Sequence, residues 1–147
     1  MIPSGCILRH TGIVVNNIQE WSLFLTEILG LELISDALET GPQLDSSLGL
    51  KDLKIHVRKY SDRMGGKIEL LSFESHTDNH WQKQEVYLPG IRHIALTVNN
   101  IELTMAHIQN RYGDFKGLIT TSSDGRVKMA YVGGPEGCLF ELVEELK

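Results

Sequence analysis

Two stretches of the chain place apolar and polar residues in the same order. Leu8–Ile18 and Ile91–Ile101 each contain an Arg-His pair, a run with several β-branched residues and an Asn-Asn-Ile triplet, and the second stretch lies 83 residues after the first. β-Branched residues favour strands, and Asn is a favoured helix N-cap. Each stretch therefore predicts a strand that leads into a helix. A repeat that occurs only twice indicates a duplicated module rather than a solenoid.

The residues that follow each triplet are apolar at helical spacing. The apolar positions are Ile18, Trp21, Leu25 and Ile28 in the first half and Ile101, Met105, Ile108 and Tyr112 in the second. We expect Asn17 to cap the first helix, and Asn99 or Asn100 to cap the second. Gly30 and Gly113 are expected to end these helices, since glycine readily adopts the left-handed conformation that closes a helix.

Three strands are predicted after each helix. They are residues 31–35, 53–60 and 67–73 in the first half and residues 115–120, 127–132 and 138–144 in the second. The segment Asp36–Lys51 has no clear period and contains Gly-Pro and Ser-Ser pairs, so it predicts a long loop. Such a loop in a compact domain is often a binding loop, and its Asp45 is a candidate second acid or base.

These elements predict an α+β protein with a βαβββ module at 1–74, a linker at 75–90 and a second βαβββ module at 91–147. The linker is polar and carries His76, Asp78 and His80. Their spacing would suit a metal ion, but a solvated loop is the favoured interpretation of so polar a segment.

Composition narrows the class of protein. The chain has 147 residues, of which 41% are hydrophobic and 22% charged, as is typical of soluble globular proteins. A net charge of −5 without a basic cluster argues against a nucleic-acid-binding surface. Cys6 and Cys138 do not form a disulfide framework, so we expect a reducing, cytoplasmic setting. Met1–Cys6 lacks the features of a signal peptide, and no apolar run is long enough to span a membrane.

A glutamate interrupts the apolar closing strand of each module. Glu69 lies in Ile-Glu-Leu-Leu and Glu141 in Phe-Glu-Leu-Val. A carboxylate on an apolar strand face is unfavourable unless it is paired or bound to a metal. His10 and His93 recur at matching positions of the two opening strands. Two imidazoles and two carboxylates would balance the charge of a divalent cation and suit a borderline metal, so we predict one metal site built from these four residues.

The same residues give the chain its resemblance to a known family. His10, the Leu-Gly-Leu at 29–31, the two closing strands, His93 and the ending Pro-Glu-Gly-Cys-Leu-Phe-Glu-Leu-Val-Glu resemble the vicinal oxygen chelate superfamily. That family includes glyoxalase I, methylmalonyl-CoA epimerase, extradiol dioxygenases and the fosfomycin- and bleomycin-resistance proteins. The resemblance implies a curved, barrel-like mixed sheet around a metal cleft, and a homodimer. It also implies that the ion is zinc, nickel, cobalt, manganese or iron.

The resemblance further implies a metal-dependent lyase or isomerase that acts on a small carbonyl substrate with adjacent oxygens. The metal would stabilise an enediolate or enolate, and Glu69 or Glu141 would move the proton on the carbon next to the carbonyl. Glyoxalase I usually carries Arg and Asn at the positions of Val14 and Phe73, and this difference argues against glutathione.

Two alternatives stay open, and the substrate pocket is only outlined. A non-catalytic protein that binds a drug or antibiotic would use the same cleft without a metal. An iron-dependent dioxygenase would consume oxygen and usually has three ligands. His56 and Arg58 share one face of the predicted strand 53–60, and we expect them to line the substrate pocket.

Overall fold

The computed structural model describes residues 5–77, 85–113 and 117–147. The chain divides into two compact units, Met1–Asn79 and His80–Lys147. The predicted linker 75–90 spans this division, and its Asp78 and His80 lie outside the described residues.

The first unit contains a four-stranded sheet with one main helix. Its elements are β1 (Thr11–Val14), α1 (Ile18–Leu23) continuing as a π-helical segment (Phe24–Ile28), β2 (Glu32–Thr40), α2 (Pro42–Leu48), β3 (Lys54–Ser61) and β4 (Lys67–Phe73). The strand order is β1-β4-β3-β2. β1 runs parallel to β4, and the other two pairs are antiparallel.

The second unit repeats this arrangement. Its elements are β5 (His93–Thr97), α3 (Ile101–Tyr112), β6 (Thr120–Thr121), β7 (Val127–Gly133), a 3₁₀ turn (Pro135–Gly137) and β8 (Leu139–Glu145). The strand order is β5-β8-β7-β6, with β5 parallel to β8. The predicted α+β class with two βαβββ modules is therefore confirmed. The strands of the described residues pair as two four-stranded mixed sheets, and these residues contain no closed barrel.

The helix caps follow the sequence pattern. The Asn17 side chain accepts a hydrogen bond from the Glu20 backbone N–H at 3.0 Å. Asn100, rather than Asn99, caps α3 and accepts from the Leu103 N–H at 2.8 Å. Each such cap typically stabilises a helix by about 1 kcal/mol.

The apolar faces predicted for the helices are buried against the sheets. Trp21, Phe24 and Leu25 are buried in the first unit, and Ile101 and Ile108 in the second. Full burial of one such side chain contributes roughly 1.5–3 kcal/mol. Within the described part of the chain, no helix is long and apolar enough to cross a membrane.

The prediction of a loop over Asp36–Lys51 is wrong. β2 continues to Thr40, paired with β3, and α2 follows. The Gly-Pro pair marks the start of α2, because proline fits the first turn of a helix, where its missing N–H is not needed. The Asp45 carboxylate accepts the backbone N–H groups of Asp52 and Leu53 at 2.9 Å each, which closes the turn into β3.

The strand predicted at 115–120 is also placed differently. The structure has a two-residue strand, Thr120–Thr121, paired with Met129 and Lys128 of β7. Residues 114–116 lie outside the described part of the chain.

Candidate functional site

In the first unit, His10 lies beside Glu69 on one face of the sheet. Gly12 of β1 is in register with Glu69 of β4, and His10 precedes it by two residues, on the same side. His10 Nε2 lies 3.6 Å from Glu69 Oε1. The Glu69 side chain is only 14% exposed, so it is shielded from bulk water and needs a charged or polar partner.

In the second unit, His93 and Glu141 form an equivalent pair. Ala95 of β5 is in register with Glu141 of β8, and His93 precedes it by two residues. His93 Nε2 lies 3.2 Å from Glu141 Oε2, and the Glu141 side chain is 17% exposed. The residue beside each glutamate on the opening strand is thus Gly or Ala, which leaves the space next to the carboxylate uncrowded.

The spacing of each pair can be compared with that of two ligands of one divalent cation. Two ligands bonded to one ion at about 2.1 Å, at tetrahedral or octahedral angles, lie roughly 3.0–3.4 Å apart. The nitrogen–oxygen distance of 3.2 Å in the second unit lies within this range, and the distance of 3.6 Å in the first unit lies just above it. Imidazole nitrogen and carboxylate oxygen together suit several first-row metals.

The structure brings the predicted ligands together in twos. His10 meets Glu69 in one unit, and His93 meets Glu141 in the other. Among residues 5–77, 85–113 and 117–147, no group of three or more His, Cys, Asp or Glu side chains could hold a metal ion. A single site with all four ligands therefore stays a prediction.

Two further residues contact the glutamates from the neighbouring strand. Lys59 of β3 is in register with Glu69, and its Nζ lies 3.1 Å from Glu69 Oε2. Tyr131 of β7 is in register with Glu141. Burial, together with the charge and hydrogen bonding of Glu141, raises the pKa of the Tyr131 hydroxyl. The Tyr131 ring also packs edge-on against the His93 ring, with centroids 5.2 Å apart.

The sequence alone did not reveal Lys59 and Tyr131 as neighbours of the glutamates. Each lies ten residues before its glutamate on the preceding strand of a hairpin. The equal separation of ten residues could have identified both residues. It can be used only when the register of each hairpin is known, and that register depends on the geometry of the turn.

His56 and Arg58 lie on the opposite face of the first sheet from Glu69, because they alternate along β3 with Lys59, the residue in register with Glu69. His56 Nε2 lies 2.5 Å from Asp36 Oδ1, and Arg58 Nε donates to Asp36 Oδ2 at 3.0 Å. Arg58 also donates to the Ser22 hydroxyl of α1 at 2.7 Å. These contacts join β2, β3 and α1; the pocket role expected for His56 and Arg58 stays a prediction.

We expect Asp36→Asn to weaken the pH dependence of stability. The hydrogen bond to His56, and then the charge and hydrogen bond of Arg58, lower the pKa of Asp36 from its ordinary value of 3.8. A carboxylate with a lowered folded pKa stabilises the fold above its unfolded pKa, and the stabilisation is lost as pH falls through the folded pKa.

The free energy of unfolding of the variant should be about 0.5–1 kcal/mol lower at pH 7, as expected for an ion pair that is partly exposed to solvent. It should also lose less stability than the wild type between pH 5 and pH 2. Urea titrations across this range measure both effects. An unchanged pH profile would show that Asp36 does not contribute in this way.

Comparisons with known proteins agree with the fold described above. The family model described as Glyoxalase/Bleomycin resistance protein/Dioxygenase superfamily matches residues 7–142. No curated protein is significantly similar to the chain.

Solved structures show the same fold. A glyoxalase family protein from Bacillus cereus is 21% identical, with a TM-score of 0.83 and complete coverage of both chains. The trypanothione-dependent glyoxalase I of Leishmania major is 22% identical, with a TM-score of 0.60 over 96% of this chain and 88% of that one. A fosfomycin resistance protein from Listeria monocytogenes, solved with Mn(II) and sulfate, is 18% identical, with a TM-score of 0.59 over 99% of this chain and 95% of that one.

Proposed function

Because the chain belongs to the Glyoxalase/Bleomycin resistance protein/Dioxygenase superfamily, we propose that it is a metal-dependent lyase or isomerase that moves a proton next to a carbonyl group. The observation that carries the proposal is the His–Glu pair at the equivalent strand position of each unit. One such pair is common as a simple ion pair. Two pairs at matching positions of a duplicated chain favour a shared chemical role.

The proposed ligands are His10, Glu69, His93 and Glu141. Their mixed nitrogen and oxygen donors suit zinc, nickel, cobalt, manganese or iron. When bound, the ion supplies Lewis-acid stabilisation of the negative charge that develops on adjacent substrate oxygens. The Mn(II) in the Listeria monocytogenes protein makes manganese a practical first choice for loading experiments.

The proposed acid–base groups of the protein are the carboxylates of the two glutamates. Glu69 or Glu141 would take the proton from the carbon next to the carbonyl and return it to the product. Both carboxylates are mostly shielded from bulk water in the protein without substrate. Tyr131 is in register with Glu141 and forms a hydrogen bond with its side chain, so Tyr131 can orient the Glu141 carboxylate.

The surroundings of Glu69 favour a substrate with an apolar part. Leu71 and Phe73 follow Glu69 at alternate positions of β4, and Val14 is in register with Leu71. These three side chains lie on the face of Glu69 and offer no polar group to a peptide thiol. We propose a small carbonyl compound with adjacent oxygens, and a homodimer as the working assembly.

Solvent-deuterium exchange tests the proposal. Protein loaded with Mn(II) is incubated in D₂O with a 2-oxo acid, a hemithioacetal and an acyl-CoA thioester, and the products are analysed by NMR. We expect deuterium at the carbon next to the carbonyl of at least one compound, and none with chelator-treated protein.

Three other results would contradict the proposal. No exchange with any of the compounds, despite bound metal, would count against proton-transfer chemistry. Binding of the compounds without metal and without turnover would favour a non-catalytic drug- or antibiotic-binding protein. Oxygen consumption with Fe(II) would favour a dioxygenase.

A further inference from the structure

We infer that Lys59 is an anion-binding residue of the proposed metal site. Its ammonium pairs with Glu69 and can also bind a negatively charged group of the substrate. A divalent ion bound by Glu69 would shift the Lys59 ammonium from the carboxylate toward the substrate. This inference rests on the proposed function and narrows its substrate class to small anionic carbonyl compounds.

The two oxygens of Glu69 have different partners. Oε1 lies toward His10, at 3.6 Å, and Oε2 toward Lys59, at 3.1 Å. The Lys59 side chain is 40% exposed. A long, half-exposed lysine side chain can move its ammonium outward without unpacking the sheet.

The equivalent position of the second unit shows that a charge is not needed to orient the carboxylate. There, the uncharged hydroxyl of Tyr131 stands opposite Glu141. The two units therefore differ by one positive charge at otherwise equivalent positions. A residue that served only to hold the glutamate could be neutral in both units, so the positive charge of Lys59 is available for a second role.

Electrostatics indicates that the second role of Lys59 is to bind an anion. Glu69 and Lys59 compensate each other's charge. A divalent cation bonded to Glu69 adds two positive charges close to the ammonium, which weakens its attraction to the carboxylate and favours an anion nearby. Ser35 of β2 is in register with Lys59 and adds a hydroxyl next to it. An ammonium with a neighbouring hydroxyl suits a carboxylate, phosphonate or phosphate group.

The test measures phosphate binding to Mn(II)-loaded protein by titration calorimetry. We expect Lys59→Met to bind inorganic phosphate about tenfold more weakly than the wild type, as for loss of one charged hydrogen bond. Lys59→Arg should retain most of the affinity, because it keeps the charge. Metal-free wild type should bind phosphate more weakly than the Mn(II) form.

Lys54→Met is the matched control. Lys54 is also a β3 lysine in an ion pair, with Glu74, but it alternates to the face away from Glu69. This variant should bind phosphate like the wild type.

Mn(II) affinity supplies a readout that does not depend on phosphate. Removing the competing ammonium should leave Mn(II) binding by Lys59→Met as tight as in the wild type or tighter. Weaker Mn(II) binding would show that Lys59 merely supports the metal ligands and would overturn the inference. Equal phosphate affinity of Lys59→Met and wild type, with normal Mn(II) binding, would overturn the inference alone. Absence of Mn(II) binding by the wild type would overturn the proposed function and the inference together.

Discussion

Replacing Glu141 by Gln, or His93 by Ala, is expected to lower the affinity for Mn(II) by more than about 100-fold, since even loss of an outer partner of a metal ligand costs about 10–100-fold. Each change removes one donor of the second-unit pair, whose atoms lie 3.2 Å apart. Glu69→Gln and His10→Ala should have effects of the same kind in the first unit. Metal content after dialysis and calorimetric titration with Mn(II) measure the loss.

The number of Mn(II) ions bound per chain distinguishes one shared site from two separate sites. If the four residues form one site, wild type binds one ion per chain, and a change in either unit abolishes it. If each pair binds separately, wild type binds two ions, and each variant loses one. A chain that binds one ion and loses it only through changes in one unit would contradict the four-ligand prediction.

His107→Ala and Glu27→Gln are matched controls for these variants. Both side chains are exposed, and they lie on α3 and on the π-helical segment, away from the sheet faces that carry the pairs. They should bind Mn(II) like the wild type. If they weakened binding as much as the ligand variants, the losses would reflect general instability rather than removal of donors.

The duplication explains why so much of the fold could be predicted from sequence. The Asn-Asn-Ile triplets marked both helix starts because the Asn side chain and the helical period point to the same boundary. The His and Glu of each pair could be matched because parallel pairing of β1 with β4, and of β5 with β8, carries the same spacing into both units. Repetition supplied the evidence that a single histidine or glutamate could not.

The second half of β2, the edge strand of the first sheet, could not be predicted in the same way. β2 lies at the end of its sheet, and its residues are largely exposed, so they show no alternation of apolar and polar positions. Its pairing with β3 is supported by Asp36, which is bound by His56 and Arg58 from the neighbouring strand. Such contacts depend on residues about 20 positions away, which local patterns do not reveal. Lys59 was missed for the same reason: its partner is fixed by register.

Tyr60→Ala is expected to destabilise the first unit by about 3–5 kcal/mol, as is typical when a buried aromatic side chain is removed. Tyr60 is fully buried on β3. Its hydroxyl donates to the Ser22 Oγ at 2.6 Å, and Ser22 in turn donates to the Ile18 carbonyl at 2.7 Å. The ring and this chain of hydrogen bonds hold β3 against α1. Urea unfolding followed by circular dichroism measures the loss.

Tyr60→Phe separates the hydrogen bond from the packing. It keeps the ring and removes only the hydroxyl, so we expect a loss of about 0.5–1.5 kcal/mol. Combining it with Ser22→Ala should cost less than the sum of the two single changes, because both act on the same hydrogen bond. Strict additivity would show that the Tyr60 hydroxyl contributes independently of Ser22.

Tyr87→Ala provides the baseline, because this tyrosine is 77% exposed and its removal should change stability by no more than about 0.5 kcal/mol. The Tyr60 variants also test the His10–Glu69 pair. Tyr60 is next to Lys59 on β3, and its side chain points to the opposite face of the sheet from Lys59. If Tyr60 fixes the position of β3, milder Tyr60 variants that still fold should bind Mn(II) less tightly, because β3 is paired with β4, the strand that carries Glu69. Unchanged Mn(II) affinity in a destabilised Tyr60→Phe protein would show that the pair is positioned by β1 and β4 alone.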